Sequence, residues 1–158
     1  MDNLERCYTA AMRILDYRFN SEAELRRKLA GKKFERSVVD ATIARLRAER
    51  WLDDARFAAA FTRARVGKRI GRARVRRELA AAGVADEVAA RAVAENADPE
   101  QEREHLAAET EKKRRAIERR HGAEYAASPE GRRRLAAHLM KRGYDSGLVR
   151  SVLNDEED

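Results

Sequence analysis

Along the chain one spacing of apolar residues occurs three times, beginning at Leu25, Val75 and Leu135. Each copy sets apolar side chains at +4, +9 and +13 and again near +17 or +18. The three sets are Leu25, Leu29, Phe34, Val38 and Ile43; Val75, Leu79, Val84, Val88 and Val93; and Leu135, Leu139, Tyr144, Leu148 and Val152. A unit of roughly fifty residues that is mostly alanine and charge between such anchors cannot bury enough surface to stand alone, so it must stack on its neighbours. The pattern predicts an all-α tandem array of three three-helix repeats, spanning 1–53, 54–97 and 98–158, the third with an extended first helix. Function is then expected on a long composite surface and not in a pocket.

Local signals place the helices. Ser21 with Glu24 makes a capping box, in which the serine oxygen accepts from the backbone three residues on and the glutamate reaches back. Ser37, Asp53, Asp86 and Ser128-Pro129 are further start signals. Gly31, Gly67, Gly71, Gly83, Gly122 and Gly143 fall where helices should end and are expected to supply left-handed C-caps. Helices are predicted over 3–18, 22–31, 37–49, 54–66, 72–82, 86–95, 99–121, 129–142 and 146–153. The segment 94–105 lacks large apolar residues and is the expected hinge, near Asp98. In the helix after it, Glu109 with Lys113 and Glu111 with Arg115 are expected as exposed pairs, and Leu106 and Ile117 as its main anchors. The acidic tail Asn154 to Asp158 is expected to be frayed.

Composition agrees with helix: thirty alanines, 40% charged residues and two prolines favour it over strand. No apolar run approaches the ~20 residues of a membrane span, and the first residues are acidic, unlike a signal peptide. A cytoplasmic protein is expected, and the lone Cys7 is expected to pack in a core. The charge distribution adds more. The net charge is +7, of which residues 55–97 supply +6. Arg63, Arg65, Lys68, Arg69, Arg72, Arg74, Arg76 and Arg77 set eight cations in fifteen residues with no acid between them. Like charges at this density repel unless an anionic partner is available.

No catalytic constellation emerges, so the protein is read as a non-enzyme without metal or cofactor. His105, His121 and His138 are too dispersed for a helical metal pair, and Asp53-Asp54 reads as a helix cap. Gly67-Lys68-Arg69-Ile70-Gly71 lacks the preceding strand and the Lys-Ser/Thr ending of a phosphate loop. Phe34, Phe57, Phe61 and Tyr144 fall at core positions, and Trp51 is expected as a packing anchor. That leaves the basic stripe. Arg69, Arg72, Arg76 and Arg77 are the expected main contact group, extended in the first repeat by Arg26, Arg27, Lys32 and Lys33.

Several fragments, in order and spacing, carry a resemblance. They are Met12-Arg13-Ile14-Leu15, Ser21-Glu22-Ala23-Glu24-Leu25-Arg26-Arg27-Lys28-Leu29, Leu52-Asp53-Asp54-Ala55-Arg56-Phe57, Gly71-Arg72-Ala73-Arg74-Val75-Arg76-Arg77-Glu78-Leu79 and Gly83-Val84. Together they resemble the bacterial regulatory family RecX, with a fainter echo at Lys141-Arg142-Gly143-Tyr144. Arg50-Trp51 stands where that family usually has Gly-Tyr before Leu-Asp-Asp. The resemblance implies an elongated, curved stack of three-helix repeats, expected as a monomer, that lies in the groove of the RecA filament on single-stranded DNA. It further implies restraint of the filament's ATP hydrolysis, strand exchange and SOS co-protease activity. A competing reading is a nonspecific DNA-binding protein acting through its basic helices.

Overall fold

The computed structural model describes residues 2–155, which form ten helices and no strand. They are α1 (Asn3–Tyr17), α2 (Glu22–Gly31), α3 (Arg36–Ala48), α4 (Asp54–Gly67), α5 (Arg72–Ala81), α6 (Asp86–Asn96), α7 (Pro99–His121), α8 (Ala123–Ala127), α9 (Pro129–Lys141) and α10 (Ser146–Asn154). All nine predicted helices are present, each within two residues at either end. The all-helical repeat array is therefore as the apolar spacing predicts. In the expected frayed tail, Asn154 closes α10 and Asp155 is exposed, while Glu156, Glu157 and Asp158 lie outside the described residues.

The repeated anchors are the core. Leu25, Val75 and Leu135 are at most 3% exposed, and Leu29, Leu79 and Leu139 are fully buried. The third shared buried position is +14, not +13. Val39, Ala89 and Val149 are buried, whereas Val38, Val88 and Leu148 are half-buried on the helix flank. The chain divides into two compact units, one comprising the chain up to Phe61 plus Glu78–Ala92, the other Thr62–Arg77 plus Val93 onward. In the first unit Cys7, Ala11, Leu25, Leu29, Ile43 and Leu46 form one cluster, so Cys7 is the core residue expected of it. In the second, Leu106, Ile117, Leu135, Leu139, Tyr144 and Val149 form another.

Each unit contains the same junction between repeats. In the first, Ser21 caps α2 through the full capping box and also donates its hydroxyl to the Ala82 carbonyl in the α5–α6 turn. In the second, the register-equivalent Gly71 and Ala73 donate backbone N–H groups to the carbonyls of Arg142 and Gly143 in the α9–α10 turn, both at 3.1 Å. In both, the start of a helix docks on the orphan carbonyls at the end of a helix in the next repeat, through a capping hydroxyl in the first unit and through free backbone N–H groups in the second. The approach leaves no room for side chains. A Cβ on Gly83 would overlap Ala23, and one on Gly71 would overlap the Gly143 backbone.

That crowding explains the glycines at 83 and 143. Gly83, Gly122 and Gly143 adopt positive φ as expected, but Gly31, Gly67 and Gly71 do not. After Gly31 and Gly67 the left-handed residue follows two positions later, at Lys33 (φ 70°) and Arg69 (φ 59°), and Arg50 (φ 63°) ends α3 likewise. Lys33 stands at the register position of Gly83 and Gly143 but is exposed, so a side chain is tolerated there. At the third repeat, the equivalent of Ser21 and Gly71 is Gly131, and it packs against the carbonyls of Tyr125 and Ala126 in α8. No local signal predicts α8, five residues held between Gly122 and the N-cap Ser128.

Candidate interaction surface

In the first unit, the predicted cations lie on α2 and the turn that follows it. Arg26 is tied down by Asp40 on α3 and by Glu22 one turn earlier, at 3.5 Å. Arg27, Lys32 and Lys33 are exposed. At the start of α2 the two-acid motif divides its work. Asp53 accepts from the Arg56 N–H at 3.1 Å, capping α4 as expected, while Asp54 accepts from the Glu22 N–H at 2.9 Å and so caps α2.

In the second unit the predicted contact group separates. Glu102 on α7 is 8% exposed, and its Oε2 accepts from both the Arg72 backbone N–H, at 3.2 Å, and Arg72 Nε, at 3.0 Å. Glu109, two turns along α7 and 7% exposed, faces Arg69 Nη1 at 3.7 Å and Arg142 Nε at 3.9 Å. Arg142 also donates to the carbonyls of Lys68 and Arg69, at 2.7 and 3.1 Å, and the Tyr144 hydroxyl donates to Arg69 at 2.8 Å. Burial, and secondarily the Glu109 carboxylate, push the Tyr144 hydroxyl up to about 12, so it remains a donor throughout the physiological range. The loop between α4 and α5 is therefore strapped to α7 and to the α9–α10 turn. Arg69 and Arg72 serve that strap.

Arg76 and Arg77, one turn further along α5, are exposed. The repulsion inferred from a stripe with no internal acid is relieved by acids from a distant stretch of chain. Glu109 is accordingly buried and turned toward the strap, not an exposed partner for Lys113, although Glu111 and Arg115 do pair, at 3.0 Å. Sequence reasoning gave no role to Glu102 or Arg142 and placed Glu109 on the exposed face of its helix. The available signal was spacing, since Glu102, Leu106 and Glu109 share one face of α7, the face that is buried. The expected hinge is likewise occupied by structure: only Ala97 and Asp98 separate α6 from α7, and Ala97 is buried.

Among the described residues no group of three or more His, Cys, Asp or Glu side chains is placed to hold a metal ion. His138 is half-buried, and burial, with Lys113 secondary, lowers its affinity for a proton. No helix of the described chain is long and apolar enough to cross a membrane. Phe57 is buried and stacks on the half-buried Phe61, with centroids 5.8 Å apart, as the core reading expects. Trp51 is not the packing anchor expected of it. It is 50% exposed and does not anchor a core, because the left-handed Arg50 turns the chain so that Leu52 enters the core in its place. Phe19 is 55% exposed, with the Arg56 guanidinium 5.5 Å from its ring centre, and Tyr17 is 88% exposed.

Comparison with known proteins identifies this architecture. The model of the first three-helix domain of RecX matches residues 7–46, spanning α1–α3, and that of the second matches residues 53–93, spanning α4–α6. A regulatory protein RecX of Xanthomonas oryzae is 44% identical over 61 residues, which is 39% of this chain and 38% of that protein. One of Oceanobacillus iheyensis is 37% identical over 65 residues, 41% of this chain and 24% of that protein. The aligned stretches thus span well under half of these relatives' own length. In fold, the crystal structure of RecX from Lactobacillus salivarius superposes with a TM-score of 0.81 at 17% identity, covering 98% of this chain and 96% of that one. A second RecX crystal structure gives 0.80 at 21% identity, covering 97% and 72%. With two consecutive domain models aligned to successive helix triplets over just more than half of its residues, this chain belongs to the RecX family of regulatory proteins.

Proposed function

We propose that this protein binds the RecA recombinase filament on single-stranded DNA and restrains its ATPase, strand-exchange and SOS co-protease activities. It acts as a cytoplasmic monomer and catalyses no reaction of its own. The observation that carries the reading is the set of exposed cations on equivalent helices of two repeats, Arg27, Lys32 and Lys33 on and after α2 and Arg76 and Arg77 on α5, in a chain of this family. Long basic helical faces suit a partner that combines a polyanion with acidic protein surface, because complementary charge speeds encounter and suppresses wrong partners. Of the eight cations expected at the contact, Arg26, Arg69 and Arg72 are ion-paired to carboxylates of the chain; the proposed contact is carried by Arg27, Lys32, Lys33, Arg76 and Arg77, all of them exposed.

The test is binding to RecA filaments preassembled on single-stranded DNA with a non-hydrolysable nucleotide, compared with the same DNA naked. The R76E/R77E and K32E/K33E pairs should each weaken filament binding by at least tenfold while circular dichroism stays unchanged. Unchanged affinity in both folded variants would remove the proposed contact group. Equal affinity for filament and naked DNA, with a steep loss on added salt, would favour the nonspecific DNA-binding reading.

A further inference from the structure

The side chain most at odds with an ordinary surface is Tyr17, at the end of α1 and 88% exposed. It forms one wall of a groove of about 310 Å³ between α1 and α2, floored by Ala10 and Ile14 and rimmed by Arg13, Lys28 and Lys32. No carboxylate lines this groove, and among the described residues none of the three cations is paired with one. Lys28 is held by the Asn20 side-chain oxygen at 2.7 Å, which fixes its ammonium beside the groove. The neighbouring groove around Phe19 and Trp51 differs, because Asp16 and Glu49 contribute to it alongside Arg50 and Arg56.

We infer that the α1–α2 groove is a single-stranded nucleic-acid site, in which a base stacks on the Tyr17 ring and the flanking phosphates lie on Arg13, Lys28 and Lys32. Two features select this occupant over a peptide. An exposed ring face beside unneutralised cations is what stacking on an unpaired base requires, and every base offers the same π-face, so no sequence reading is needed. A protein ligand would gain little from three cations around a small apolar floor unless it were strongly acidic, and would leave the ring unmatched. Duplex DNA offers the ring no unstacked base. The inference deepens the function proposed above, because the strand would be that of the filament, but it is tested without RecA.

The experiment is fluorescence anisotropy of a labelled oligothymidine, and of an abasic strand of equal length, with the full chain and its variants. Y17A should weaken oligothymidine binding about fivefold to a hundredfold, the range expected for one stacked base. Y17F should stay within about twofold of the parent, since it keeps the ring. The abasic strand should bind parent and Y17A alike, and R13Q/K32Q should weaken both strands and lower the salt slope by about one to two. Photocrosslinking of an iodouracil-containing strand should map to Tyr17. Oligothymidine affinity unchanged in Y17A would overturn the inference, as would equal losses for both strands. So would a Y17A variant that loses only RecA-filament binding, which would make the groove a protein contact. Tyr17-dependent binding in a protein that fails to restrain RecA would sink the regulatory reading and leave the groove standing.

Discussion

Replacing Arg72 with alanine tests whether α5 is held by the strap or displayed for a partner. The side chain supplies Nε to Glu102 Oε2 at 3.0 Å, and the Arg72 backbone N–H, at 3.2 Å, would remain. Glu102 is 8% exposed, so after R72A a nearly buried carboxylate keeps one donor and little water. A charge-assisted hydrogen bond contributes about 1.5–3 kcal/mol, and since Arg72 itself is partly solvated the expected loss is about 2 kcal/mol. The reciprocal change differs. E102Q keeps an acceptor of the same shape and frees a guanidinium that is already 39% exposed, so it should cost only about 1 kcal/mol. R72E sets a second carboxylate against the first and should cost most, about 3–5 kcal/mol. Urea unfolding followed by circular dichroism at 222 nm would measure all three, and the reasoning predicts the order R72E, then R72A, then E102Q. A loss below about 0.5 kcal/mol for R72A, or E102Q costing more than R72A, would refute it. One practical consequence is that lost RecA restraint in R72E would report a damaged fold, whereas Arg76 and Arg77 lie exposed one turn beyond the strap.

The repeated junction makes a second prediction: G83A should cost about 2–5 kcal/mol, combining a left-handed φ of 79° with overlap on Ala23. The double variant A23G/G83A should recover the overlap share, which denaturant midpoints would resolve, while K33G, at φ 70° in an uncrowded turn, should stabilise by up to about 1 kcal/mol. Stability should fall on acidification in two stages. Burial lowers the His138 pKa from 6.5, so the unfolded chain takes up that proton first and stability declines as pH drops below 6.5, a stage that H138Q should abolish. The Arg47 hydrogen bond lowers the Glu22 pKa from 4.5, so its contribution is complete above 4.5 and lost as pH falls through the folded-state value. Urea midpoints across pH 3 to 8 would show whether E22Q shrinks that second stage.

Much of the fold was legible because it is encoded locally. The capping box at Ser21 and Glu24, the apolar steps at Leu25 and Leu29 and their copies fix helix starts and buried faces without reference to distant chain. What escaped depends on tertiary contact. A glycine and a lysine at the same register, Gly83 and Lys33, are distinguished only by whether a neighbouring repeat presses on the turn. The cation stripe looked unopposed because its acids, Glu102 and Glu109, lie about 30 to 40 residues away along the chain and are brought to Arg72 and Arg69 by folding. Residue type alone likewise misplaced Trp51, since an indole in a sparse chain usually packs, and here a left-handed Arg50 turns it outward. Of the candidate surface, the sequence found the cations but not which of them are already engaged.

The most direct test of the central claim is single-stranded-DNA-dependent ATP hydrolysis by RecA, at fixed DNA, with this protein titrated at amounts well below RecA. Inhibition is expected at those substoichiometric ratios, because a regulator that acts on the filament need not coat the DNA. Inhibition that appears only near DNA saturation and is relieved by added DNA, or no inhibition at all, would contradict the claim.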